Sequence, residues 1–134
     1  MQVTSTDGGN TFSAPVSLDD ELGVPGLTMG PGIGIQIPST GKLLAMGKGY
    51  ATNDLFSNRD VVIASDDNGK HWRTAHIFNG TDGAGLDEPQ LALLPNGHVM
   101  ANMRTTNTRS TCKCRAVSLS TDQGESFGPV LSDA

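Results

Sequence analysis

Apolar residues recur along this chain in short runs, many with a period of two, cut by Gly, Pro, Asn and Asp. Ile33, Ile35 and Ile37 alternate with Gly34 and Gln36, which predicts a strand with one apolar face. Pro38–Gly41 turns the chain, and Lys42–Gly49 is the expected antiparallel partner. Val61-Val62-Ile63-Ala64 is a β-branched run that reads as a third strand, and Trp72–Phe78 as a fourth. The same order returns in Glu88–Leu94, a turn at Pro95-Asn96-Gly97, His98–Arg104, Cys112–Ser120 and Phe127–Leu131. Met1–Ser5 and Phe12–Leu18 read as an earlier hairpin, with Pro15 marking an edge. Asp19–Met29, Tyr50–Arg59, Asn79–Asp87 and Thr105–Thr111 are expected loops, and no helical period appears.

One octet punctuates this pattern three times. Ser65-Asp66-Asp67-Asn68-Gly69-Lys70-His71-Trp72 has the form Ser-x-Asp-x-Gly-x-x-aromatic. Ser5, Asp7, Gly9 and Phe12 repeat it, as do Ser120, Asp122, Gly124 and Phe127. The aspartate can fold onto backbone N–H groups of the turn, the glycine supplies a positive φ, and the aromatic re-enters a strand. The leading serines stand 60 and 55 residues apart, a repeat that suits four-stranded propeller blades. The predicted fold is therefore all-β, a partial β-propeller within 1–134. Residues 1–18 form the outer hairpin of one blade, and 30–78 and 86–131 are two full blades, about two and a half in all.

Composition narrows the function. The chain has 134 residues and a net charge of −5, with 17 Gly and 7 Pro. No basic cluster is available for nucleic acid, no apolar run approaches a membrane span, and no signal peptide opens at Met1. Cys112 and Cys114 are expected to be free, because an i,i+2 bridge in a strand is strained. They lack partners for a metal site, and no cofactor is implied. Gly30-Pro31-Gly32-Ile33-Gly34 lacks the third glycine and the helix of a dinucleotide loop. Asn79-Gly80-Thr81 has the form of a glycosylation sequon.

Strand parity puts the three octets on one face and the long loops on the other. On the loop face, Glu88 and Arg104 each lie eight residues from Asn96, the centre of the hairpin turn. They are expected opposite one another, roughly 5 Å apart at Cβ, or one diagonal step away. A carboxylate beside a guanidinium suits an anionic substrate; the plainer reading is a rim ion pair of little energetic value.

These residues resemble the Asp-box (BNR) sialidases over essentially the whole chain. The octets look like Asp boxes, and Gly30-Pro31-Gly32-Ile33-Gly34-Ile35-Gln36 with Gly41-Lys42-Leu43-Leu44 is similar to the GPGxGIQ…GRLL blade. Asp87-Glu88-Pro89-Gln90, Leu94-Pro95-Asn96-Gly97 and Ala101-Asn102-Met103-Arg104 resemble the more specific NEPQ…L.DG…LNxR segment. The chain departs from the pattern at Asp87 (usually Asn), Ile33 (a variable slot) and His71 (usually Thr).

The resemblance implies a six-bladed propeller that removes terminal sialic acid with retention, acting on glycoproteins, gangliosides or oligosaccharides. Sialidases use a tyrosine nucleophile. A paired glutamate acts as its base, and by resemblance that glutamate is Glu88. Arg104 matches the second of three arginines that grip the substrate carboxylate, whereas Arg59 and Arg109 lack the motif and are expected in solvent. The resemblance places the first arginine and the Asp acid/base before Met1, and the tyrosine and third arginine beyond Ala134. Tyr50 sits in the wrong blade, so the 134-residue chain alone is expected to be inactive. The alternative is a non-catalytic Asp-box propeller that binds a glycan or protein.

Overall fold

A computed structural model describes residues 1–24, 26–50, 58–78, 85–105 and 114–133; Asn79, Arg109 and Cys112 lie outside them. The elements are α1 (Asp19–Leu22), β1 (Thr28–Met29), β2 (Ile35–Gln36), β3 (Leu43–Tyr50), β4 (Asn58–Ser65), β5 (Arg73–Ile77), β6 (Leu86–Leu93), β7 (Val99–Thr105), β8 (Arg115–Ser120) and β9 (Leu131–Asp133). They build two antiparallel sheets, β1-β3-β4-β5 with β2 also on β3, and β6-β7-β8-β9. Each is a propeller blade in which neighbours in sequence are neighbours in space.

β4 reads as an unbroken apolar run because both its faces are covered. Val62 and Ala64 join Leu44 and Met46 of β3 against Leu86, Leu91, Ala101 and Met103 of the second sheet. Val61 and Ile63 face the other way, onto Leu22, Val24 and Trp72. Ion pairs also join the sheets. Glu125 takes both guanidinium arms of Arg73, at 2.9 and 2.6 Å, and the Lys42 ammonium.

Four expectations are corrected. The 33–37 strand shortens to β2, and β1 forms within the expected 19–29 loop, both lying on β3. Pro31, which has no N–H to donate, sits between them, and Ile33 is 78% exposed instead of facing the core. The 12–18 strand is reduced to a single bridge, Gln2 to Val16, beside Pro15. The 19–29 loop contains α1, a turn too short to show a period. Its acidic residues suit a helix N-terminus, and Gly23 closes it with φ 60°. Cys114 is disulfide-bonded. It precedes β8, so the extended geometry that argued against a bridge does not hold there.

Candidate functional site

The three octets fold alike because their bonds are local. In each, the serine Oγ accepts the glycine N–H at 2.8 Å: Ser5 from Gly9, Ser65 from Gly69, Ser120 from Gly124. Asp67 Oδ1 accepts the N–H of Lys70 and of His71, and Asp7 accepts those of Asn10 and Thr11. Asp122 accepts Ser126 N–H at 2.9 Å. Bonds from Thr11 hold Asp7 at a pKa of about 2. Burial raises the Asp122 pKa, yet the bonds from Ser126 and Ser120 outweigh it and hold the group at about 2. His71 N–H and its imidazole depress Asp67 further. The glycine and the residue before it both take positive φ, as in Asn68 (60°) and Gly69 (79°). Trp72 packs on the Val61–Ile63 face and donates Nε1–H to Gln2, and Phe127 packs on His76 and Phe78. Phe12 is 62% exposed, with no described blade against it.

Glu88 and Arg104 lie at the opposite end of the second sheet. β8 runs from Arg115, the ladder partner of Arg104, to Ser120, the partner of Val99, so the third octet and the pair are a strand length apart. From Gln90↔Asn102 to Leu93↔Val99 the β6–β7 register follows the hairpin expectation. Between Asp87 and Gln90 it slips, and Asp87, not Glu88, is the partner of Arg104. Glu88 is the residue left over in this β-bulge, with φ 43°. Leu86 and Pro89 consequently both face the core, while Glu88 is exposed and Asp87 partly buried between them. Pro89, which has no N–H, tolerates the break in the ladder. Gly30 lies under the bulge, where a Cβ would come within 2.4 Å of the Pro89 carbonyl oxygen; the GPG motif is a close-approach site.

Arg104 Nη1 donates to Glu88 Oε1 at 2.8 Å, and both side chains are about half exposed. A third charged group joins them. Arg115 donates Nη2–H to the Glu88 carbonyl at 3.3 Å and Nε–H to the Asn102 side-chain oxygen. Sequence reading missed Arg115, since only the β7–β8 register sets it beside Arg104. Glu88, Gln90, Asn102, Arg115 and Pro31 line a cavity of about 420 Å³. A larger cleft, about 530 Å³, lies over Met100, Val117, Leu119 and Leu131 and has no ionisable lining. Of these two, the cavity beside the ion pair is the one with charged lining, Glu88 and Arg115. Arg59 is exposed at the start of β4. Among the described residues no cluster of His, Cys, Asp or Glu could hold a metal, and no helix is long and apolar enough to cross a membrane.

The fold and this end of the blade define an Asp-box propeller segment with a glutamate–arginine pair opposite its boxes. Residues 1–133 match the BNR repeat-like domain, and the chain belongs to that family, the Asp-box repeat family of the sialidases. It is 36% identical over 137 residues to a sialidase of Micromonospora viridifaciens, matching 97% of this chain and 20% of that protein. It is 30% identical over 142 residues to Sialidase-4 of Homo sapiens, matching 95% and 28%. The solved leech intramolecular trans-sialidase shares 30% identity at a TM-score of 0.72, over 96% of this chain and 18% of that one. An α-L-arabinanase of Penicillium chrysogenum, at 23% identity and TM-score 0.62, shares the fold. The chain spans 20 to 28% of the length of the curated sialidases it matches.

Proposed function

We propose that this chain supplies part of the active site of an exo-α-sialidase that releases terminal sialic acid with retention. In this reading residues 1–134 are part of one propeller domain, with blades at 30–78 and 86–131 and an outer hairpin at 1–18. Glu88 is the general base that takes a proton from the tyrosine nucleophile, and Arg104 binds the substrate carboxylate. The observation that carries the proposal is the 2.8 Å Arg104–Glu88 pair, at the end of the blade opposite the Asp boxes. That bond uses one of the five guanidinium N–H groups, which leaves donors for a second carboxylate. Half exposure of both groups keeps them within reach of a ligand arriving from solvent. The substrates are sialylated glycans, in keeping with the sialidases that the chain resembles.

The test is release of a fluorophore from a sialic acid glycoside by the full-length protein that carries this chain. Glu88→Gln is expected to lower kcat by about 10²–10⁴, the usual range for a lost general base. Arg104→Ala is expected chiefly to raise KM. Full activity in both variants would exclude these roles, and no release by the full-length parent would favour a non-catalytic propeller that binds a glycan or protein.

A further inference from the structure

Glu88 sits in a backbone region that a residue with a Cβ keeps only where its surroundings impose it. The ladder does not impose it, since the bulge leaves Glu88 outside the β6–β7 pairing. Side chains do. Asp87 Oδ1 accepts the Glu88 N–H at 2.9 Å, and Arg115 holds the Glu88 carbonyl from the other side.

Asp87 is itself held, and from the neighbouring blade. Its Oδ2 lies 3.1 Å from the Lys48 ammonium of β3, an ion pair that crosses from the first sheet to the second. Both side chains are about three-quarters buried, so water screens the pair less than a rim contact. Opposite Lys48 in the β3–β4 ladder stands Asp60, fully buried, with neither carboxylate oxygen hydrogen-bonded. Asp87 thus holds the ammonium against the bulge, with Asp60 opposite it on β4. An asparagine, the residue that the sialidase pattern has at this position, would accept the same N–H but would not attract Lys48.

We propose that Asp87, clamped across the blade boundary by Lys48, is a positioning residue that holds the strained Glu88 bulge and aims its carboxylate at Arg104. The proposal rests on the reading of Glu88 as the base. It makes orientation of the base depend on how two blades sit together and not only on the strand that carries it.

The experiment compares Asp87→Ala, Asp87→Asn, Lys48→Met and Glu88→Gln in the full-length protein. It reads kcat and KM on the fluorogenic sialic acid glycoside, thermal melting, and the Glu88 amide proton shift by ¹⁵N NMR. Asp87→Ala is expected to lower kcat by about 10- to 100-fold with little change in KM, as for a misplaced reacting group. It is also expected to move the Glu88 amide proton upfield. Asp87→Asn keeps the acceptor but loses the ion pair, so that proton should stay near its place while kcat recovers only in part, to about three- to tenfold below the parent. Lys48→Met, which also keeps the acceptor and loses the ion pair, should match Asp87→Asn. A folded Asp87→Ala with unchanged kcat, or an Asp87→Asn no better than Asp87→Ala, overturns the proposal. If Asp87→Ala does not fold, Lys48→Met decides, and unchanged kcat there overturns it. Full activity in Glu88→Gln would instead sink the reading of Glu88 as the base, and the amide shift would still decide whether Asp87 holds the bulge.

Discussion

Arg104 reaches Glu88 at 2.8 Å although its ladder partner is Asp87. The bulge that makes this possible holds Glu88 at φ 43°, where glycine is far more at ease than glutamate. Replacement with glycine relieves that strain and removes an exposed ion pair of small worth. Glu88→Gly is therefore expected to melt at the same temperature as the parent or higher, while losing the activity assigned to the glutamate. Thermal denaturation followed by circular dichroism checks this. A clear fall in the midpoint would mean that the side chain stabilises the bulge instead of straining it.

Asp60 gives the protein an unusual dependence on pH. Burial raises its pKa to about 7, the Asp87 carboxylate raises it further, and the Lys48 ammonium pulls it back. Because the folded value lies above the unfolded one, this group's contribution to stability is complete below about pH 4 and is lost as pH rises through 7. The loss is on the order of 2–4 kcal/mol. Urea unfolding at pH 5 and pH 8 should show it, and Asp60→Asn should flatten most of the difference.

The Asp boxes act in the opposite sense. Asp7 and Asp122 are held at about 2 and Asp67 lower still, all below the unfolded value. Their contribution is present above about pH 4 and is lost as pH falls toward 2. Asp67→Ala strips acceptors from the Lys70 and His71 N–H groups and should lower the melting point by a few degrees at pH 5. At pH 2, where the parent has lost part of this contribution, the gap should narrow. Equal gaps at both pH values would show that the carboxylate charge is not what matters.

Equivalent glycines of two boxes should respond differently to the same change. A Cβ on Gly124 would stand 2.5 Å from Leu44 Cδ1 in the core between the sheets. On Gly69 the nearest atoms are 3.6 Å away. Gly69→Ala should cost about 1–2 kcal/mol from its positive φ alone. Gly124→Ala should add about 1–3 kcal/mol of overpacking. Chemical denaturation of the two variants side by side measures the difference, and equal losses would mean that Leu44 moves aside freely.

The sequence by itself determined what is made within a few residues of chain. Ser65, Asp67 and Gly69 close their turn with bonds spanning two to four residues, so three octets could be recognised without knowing what surrounds them. The turn at Pro95-Asn96-Gly97 likewise set the register that brings Glu88 close to Arg104, because a hairpin counts outward from its loop. Tertiary structure decided the rest. That Asp87 and not Glu88 faces Arg104 depends on Pro89 taking a core position against Gly30 of the other blade. Lys48 meets Asp87 across 39 residues, and Arg115 reaches Glu88 across 27. No local preference encodes such distances; they follow from two sheets burying one apolar core, which fixes where charges at their edges meet.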